Sequence, residues 1–315
     1  WALAQFAKLL GKEEDYNELM KRAYYYRNAF NPSERFMMAR KEDGSWTIGG
    51  YEEGDKWTYS WCVPHDVKGL INLFGGPEAF ISRLEECFKE GHYPHDNDNH
   101  RHYPYIFSYA GAPWKTQKWV REAMEKYTTG PGGYPGNEDS GRMSSWYVEA
   151  AMGLGTVCAG SPIYILGSPI FDKMTIHLPE YWGEKDFVII AKDNSKKNKY
   201  IQSATLNGQP LNRPWIAHSE IANGGTLTFQ MGPQPNKQWG SAPEVAPPSM
   251  TEGTPEFRYN TLESTSTEVN ADEPLTIYLT VKNIGNAVGT TELKLYVDGE
   301  FVKSKWVFVE PGESK

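Results

Sequence analysis

The hydrophobic period of this chain changes once, near residue 160, and that change restricts the fold to helices packed with sheets. Before it, apolar residues recur at helical spacing. Ala2, Leu3, Phe6, Leu9 and Leu10 share one face, and Leu19, Met20, Ala23 and Tyr24 share another after an acidic start. GGPEAFISRLEECFKEG and APWKTQKWVREAMEKYTTG each carry Pro at the first turn and Gly beyond the end. SGRMSSWYVEAAMGLGT reads as a further helix, with Ser140 placed to cap it. The pattern predicts about six or seven helices over residues 1–158. After the change, IYILGSPIF, KMTIHLP, DFVIIAKD, YIQSATLNGQPL and GGTLTFQMG are short, β-branched and aromatic, with Asn-Gly and Asn-Ser turns, so residues 159–243 read as a β domain. Residues 244–256 are rich in Pro and small polar residues and read as a linker. Residues 257–315 alternate apolar and polar around an Asp-Gly turn, as in part of an immunoglobulin-like sandwich. The class is therefore α+β and multidomain.

Composition narrows the partners. A net charge of -8 and a pI near 5.5 argue against nucleic acid and anionic membranes. No apolar run has the length of a membrane span, so no membrane insertion is expected. The 11 Trp and 19 Tyr suit ligands with both apolar and hydroxyl faces, as sugars have, although most such rings serve ordinary cores. Cys62, Cys87 and Cys158 are odd in number and widely spaced, so free thiols are expected rather than a disulfide framework or zinc ribbon. The opening WALAQFAKLL lacks a basic leader and a cleavage site, so it is not a signal peptide; it reads as an entrance into the middle of a longer protein.

Three loops share one style, with acidic residues set among Gly, Asn and aromatics, each ahead of a helix. The first, GGYEEGDKWTYSWCVPHD, holds Glu52, Glu53, Asp55 and Asp66. The second, HDNDNHRHYPY, holds His95, Asp96, Asn97, Asp98, His100 and His102. The third, GGYPGNEDSGRMSSWY, holds Asn137, Glu138 and Asp139. Carboxylates on separate loops suit acid–base chemistry, because one must hold a proton while another is ionised. For any single loop, a solvated turn or a helix cap is the simpler account. The spacing of His92, His95, His100 and His102 matches no familiar zinc signature. DNDNH opens like a calcium loop, but Arg101 stands where Gly is required and Phe107 where the bidentate Glu belongs. No phosphate loop and no Gly-x-Ser-x-Gly nucleophile motif is present.

These segments resemble a known family. YEEGDKWTYSWCVPHD, HDNDNHRHYPYIFSYAGAPWKTQ and GYPGNEDSGRMSSWYVEAAMGLGTVCAGSPIYILGSPIFDKMTI are similar, in the same order, to motifs of glycoside hydrolase family 92, the calcium-dependent exo-acting α-mannosidases. The likeness runs over roughly the first three quarters of the chain, and the last segment resembles a CARDB-type adhesion module less closely. The resemblance implies half of an (α/α)6 toroid carrying the catalytic loops, then a β-sandwich-type domain. The preceding N-terminal portion would be a covalent or separate-chain partner, without which this polypeptide is expected to be inactive.

The implied reaction removes a terminal α-linked mannose from a glycan, N-glycans included, with inversion and with Ca2+ as cofactor. Glu53 matches the family's general acid and Asp139 its base. The two carboxyls should then lie about 6.5–9.5 Å apart to admit a water. Asn97 and Asp98 are the expected calcium ligands. His95, Asp96, Asp98, His102 and Asn137 are expected to touch substrate, with an α-1,2 linkage favoured. Trp57, Trp61 and Trp146 are expected to brace the loops. Asp98 stands where the family has Glu, Asn99 where it has Pro, Asp55 where it has Asn and Cys62 where it has Phe, which puts linkage preference in doubt. The resemblance also implies a bacterial protein that is secreted, periplasmic or at the cell surface. Two other readings stay open: a calcium-dependent mannoside-binding pseudoenzyme, and a hydrolase of mannosyl phosphate.

Overall fold

The computed structural model describes residues 1–270 and 273–315. Its first half is helical, and the helices that position the loops begin where the local chemistry starts them. Helices α1 (Ala2–Leu9) and α2 (Glu13–Ala23) pack on each other. The short α3 (Lys56–Tyr59) is capped by Asp55, whose carboxylate accepts from the N–H groups of Trp57 and Thr58. Helix α4 (Val67–Leu73) is capped by Asp66 and is apolar nearly all round, and it runs through the core. In α5 (Pro77–Lys89), Gly76 takes a φ of 102° and Pro77 opens the first turn; Phe80, Leu84, Cys87 and Phe88 form its buried face. Trp61 stacks on Phe74 at 5.1 Å, and Phe80 meets both edge-on, which ties α4 to α5.

The centre of this half is a 3-10 helix over Tyr103–Ala110, buried along its whole length and ended by Gly111 in the left-handed region. It packs on α6 (Pro113–Met124) and α5. Burying such large side chains stabilises by about 1.5–3 kcal/mol each. Helix α7 (Arg142–Ala151) follows the third loop. Ser140 does not cap it. Its backbone is left-handed, and the Glu138 carboxylate takes the free N–H and hydroxyl of Ser144 instead.

Two sheets follow. The larger runs, in order, Gln209–Pro210, Tyr200–Leu206, Gly225–Gly232, Asp186–Lys192 and Lys173–His177. Gly225–Gly232 pairs parallel with Asp186–Lys192, and the other neighbours are antiparallel. Asn207 and Gly208 both take positive φ in the tight turn between Tyr200–Leu206 and Gln209–Pro210. The smaller sheet orders Trp215–Ala217, Ile163–Leu166 and Leu154–Gly155. Phe187, Ile189, Leu227 and Phe229 from the larger sheet share one apolar core with Leu154, Leu166 and Ile216 from the smaller. Helix α8 (His218–Ala222) lies between strands and was not foreseen; Glu220 reaches back to the N–H of Ala217.

Residues 244–256 do not hang free. Thr251 donates both its N–H and its hydroxyl to Asp66, and Ser249 adds a third bond. Beyond them, among the described residues, lie three two-stranded ribbons rather than joined sheets: Phe257–Tyr259 with Val281–Asn283, Glu263–Ser264 with Ile277–Tyr278, and the hairpin Gly289–Val297 with Glu300–Val309. The hairpin turns at Asp298 and Gly299, both at positive φ. Its base enters the helical core: Val288 joins that core, Trp306 covers Gly75, and Thr290 bonds the carbonyl of Leu73.

Candidate active site

The three loops meet at one edge of the helical half. Each carries a non-glycine residue in left-handed backbone: Glu53 at φ 51°, His95 at 52°, and Asp139 and Ser140 at 48° and 58°. Such residues are uncommon, and they turn the chain sharply where a side chain must still project. Glu53 is exposed, and its Oε2 accepts from Asn97 Nδ2 at 3.0 Å. Asn97 Oδ1 accepts the N–H of Asp98 at 2.7 Å, which fixes the amide with its NH2 toward Glu53. The second and third loops are joined by the Asn137 N–H, which donates to the Asp96 carbonyl at 2.9 Å. Gly136 permits that approach. It sits at φ 62°, and a Cβ there would collide with the Asp96 carbonyl.

Two overlapping cavities open here. One, of about 300 Å³, is lined by Glu53, Asp96, Asn97, His100, Gly136 and Asn137. The other, of about 440 Å³, shares Glu53, Asp96 and His100 but is closed by Asp55, Thr58, His92 and Pro94. The structure therefore brings together Glu53, Asp96, Asn97 and Asn137. Asp139 is exposed, two residues beyond Asn137, and lines neither cavity. Glu138, its neighbour, is spent on α7.

The histidines divide differently from the sequence-based expectation. His95 was expected to touch substrate, but it is wholly buried. Tyr93 holds its Nδ1 at 2.6 Å and Tyr127 its Nε2 at 3.1 Å, so both ring nitrogens are engaged. Burial pushes its pKa down to about 3, which keeps it neutral. His102, with the same expectation, instead bonds the Trp61 carbonyl through Nε2 at 2.8 Å, and burial pushes it down to about 4. Both brace the wall: His95 lies among Tyr93, Tyr127 and Trp146, and His102 is tied to the Trp61 carbonyl. His100 received no role from its sequence context, yet it lines both cavities; burial lowers its pKa as the largest influence. Trp57, Trp61 and Trp146 are buried, and the Trp146 indole N–H supports the second loop at the Arg101 carbonyl.

No group of three or more His, Cys, Asp or Glu is arranged to hold a metal among the described residues. Oxygen donors of the kind a hard cation takes are nonetheless present. The Asp98 carboxylate is half-buried, Asn97 Oδ1 keeps one lone pair, and Asn99 Oδ1 is buried with no partner. Fewer than the usual six to eight ligands come from this loop, so sugar hydroxyls and water would have to complete a calcium shell.

Residues 1–233 match the family model described as the glycosyl hydrolase family 92 catalytic domain. The chain belongs to glycoside hydrolase family 92. An inverting mannosidase of this family from Bacteroides thetaiotaomicron is 36% identical, with a TM-score of 0.74 over 79% of this chain and 38% of that one. A family 92 α-mannosidase from the same organism is 33% identical, with a TM-score of 0.73 over 78% of this chain and 34% of that one. An uncharacterized secreted glycosidase from Arthroderma benhamiae is 34% identical over 207 residues, 64% of this chain and 26% of that protein. This family 92 chain thus spans little more than a third of the solved structures it matches and about a quarter of the curated relative. No helix among the described residues is long and apolar enough to cross a membrane, and all three cysteines are unpaired.

Proposed function

We propose that this chain supplies the acid and base loops of an exported, inverting exo-α-mannosidase acting on glycans. One observation carries the reading: the Glu53 carboxylate and the loop Gly136–Asn137, which leads to Asp139, wall a single cavity. Glu53 is the general acid. Because Asn97 donates to Oε2, the proton of the acid form sits on the other oxygen. Asp139 is the base that activates water across the sugar ring, while Glu138 is held on α7. Asp96 and Asn137 contact the sugar, and an α-1,2 linkage is preferred. Asn97 and Asp98, with Asn99 beside them, are this chain's share of a calcium site, and the bound ion would hold two mannose hydroxyls. The remaining toroid helices come from a preceding segment that covers the apolar face of α1, where Leu3, Phe6, Leu9 and Leu10 are exposed. The secreted relative supports export.

The test is proton NMR of mannose released from α-1,2-mannobiose by the chain together with its preceding segment, and by the same protein carrying Glu53→Gln. The β-anomer should appear first, and the variant should be about 10²–10⁴-fold slower. Initial α-anomer, or equal rates, would defeat the assignment.

A further inference from the structure

Three consecutive residues of the second loop each hold a different part of the site. Asn97 donates to the Glu53 carboxylate at 3.0 Å. The Asp96 carbonyl accepts the Asn137 N–H at 2.9 Å, just ahead of Asp139. His95 reaches the far side of the same turn through Tyr127, whose hydroxyl donates to the Met143 carbonyl at 2.9 Å. Proton counting fixes the direction of that relay. A carbonyl can only accept, so the Tyr127 proton goes to Met143 and the Tyr127 oxygen accepts the His95 Nε2–H at 3.1 Å. The neutral ring then leaves Nδ1 as the acceptor for the Tyr93 hydroxyl at 2.6 Å. Trp146 lies 4.1 Å from the His95 ring and stacks on Tyr127 at 5.9 Å, which holds both rings in place. A carbonyl oxygen has two lone pairs, so Met143 can serve Tyr127 and its own helix together.

The stretch between the two ties is short. Asp139, Ser140 and Gly141 are all left-handed there, at φ 48°, 58° and 93°. The turn that carries Asp139 is therefore pinned to the second loop at both ends, and that loop also holds Glu53. In an inverting hydrolysis the gap between acid and base must admit a water, and a misplacement of about 1 Å can cost about 100-fold in rate. We infer that Tyr127 is a positioning residue: through its bond to Met143 it sets the Asp139 carboxylate at its working distance from Glu53. This rests on the mannosidase reading above.

The experiment uses the chain together with its preceding segment, as wild type, Tyr127→Phe and Tyr93→Phe. Each variant deletes one hydroxyl of the relay, but only the first unties Met143. The substrate is 2,4-dinitrophenyl α-mannoside, whose leaving group needs little help from an acid. Tyr127→Phe should lose about tenfold or more in kcat with KM within about twofold, and Tyr93→Phe should stay within about threefold of wild type. Azide needs no base: its nitrogen bonds C1 as the C1–O bond breaks and dinitrophenolate departs. Added azide should therefore recover most of the Tyr127→Phe loss and yield β-mannosyl azide, whereas a merely loosened fold would not respond to it. Loss without azide recovery, equal loss in both variants, or no loss in either overturns the inference. If wild type cleaves no mannoside, the mannosidase reading falls and amide hydrogen exchange decides instead. Exchange at residues 137–143 about tenfold faster in Tyr127→Phe than in wild type upholds the tie, and an unchanged rate overturns it.

Discussion

Replacing Asp66 with alanine tests how the helical half holds the strap at residues 249–251. Asp66 is fully buried. Its Oδ1 accepts from Gly69 N–H at 3.0 Å, Thr251 N–H at 2.9 Å and Ser249 hydroxyl at 3.2 Å. Its Oδ2 accepts from Tyr26 and Thr251 hydroxyls, each at 2.8 Å, and Arg27 stands 3.9 Å away. Alanine removes the helix cap and so strands two buried N–H groups, those of Gly69 and Thr251, at about 1–3 kcal/mol each. The hydroxyls can turn to other partners, so the expected total is about 3–5 kcal/mol, or roughly a 10 °C fall in Tm. Asp66→Asn should be far milder. Its oxygen can keep the two N–H groups while its NH2 faces hydroxyls that rotate to accept, leaving mainly a lost charge, about 1–2 kcal/mol. Thermal unfolding followed by circular dichroism measures both, and limited proteolysis should cut near 244–256 only in the alanine variant. An alanine Tm within 2 °C of wild type, an estimate well below the expected shift, would refute this reasoning; so would an asparagine variant as weak as alanine.

Gly136→Ala places a Cβ against the Asp96 carbonyl at a left-handed position; mannoside hydrolysis should fall by about tenfold or more as the two loops part, and unchanged kinetics would remove Gly136 from the site's architecture. His102 is held at about 4 in the fold, against about 6.5 unfolded, so the unfolded chain binds the extra proton and stability falls as pH drops from 6.5 toward 4, by about 1.4 kcal/mol per unit. His102→Gln should flatten that part of a denaturation-against-pH curve, and an unaltered slope counts against it. Chelation should abolish mannose release, with recovery on added Ca2+ but not Na+; full activity in chelator would exclude the calcium site at Asn97 and Asp98.

What the sequence disclosed was local chemistry. Pro77 after Gly76, Pro113 after Ala112, and the Asn207-Gly208 and Asp298-Gly299 turns are punctuated within a few residues, and those elements stand where the pattern put them. The 3-10 helix at Tyr103–Ala110 escaped because it is buried on every side and so shows no amphipathic period. The parallel pairing of Gly225–Gly232 with Asp186–Lys192 skips over three intervening strands, which spacing cannot reveal. The three acidic loops were legible as a set. Asp66 looked like Glu53 in its motif, and only contacts from residues far along the chain make it a structural anchor. His95 and His102 likewise read as substrate contacts because the groups that hold them, Tyr127 and Trp146 for His95 and the Trp61 carbonyl for His102, lie far along the chain.

Glu53 and Asp139 occupy backbone conformations in which glycine would rest more easily, by about 1 kcal/mol each. Laboratory selection for heat resistance alone should therefore drift toward glycine at both positions. Each hardier variant would then be a blunter one, because the substitution that relaxes the chain also deletes a carboxylate from the rim of the cleft.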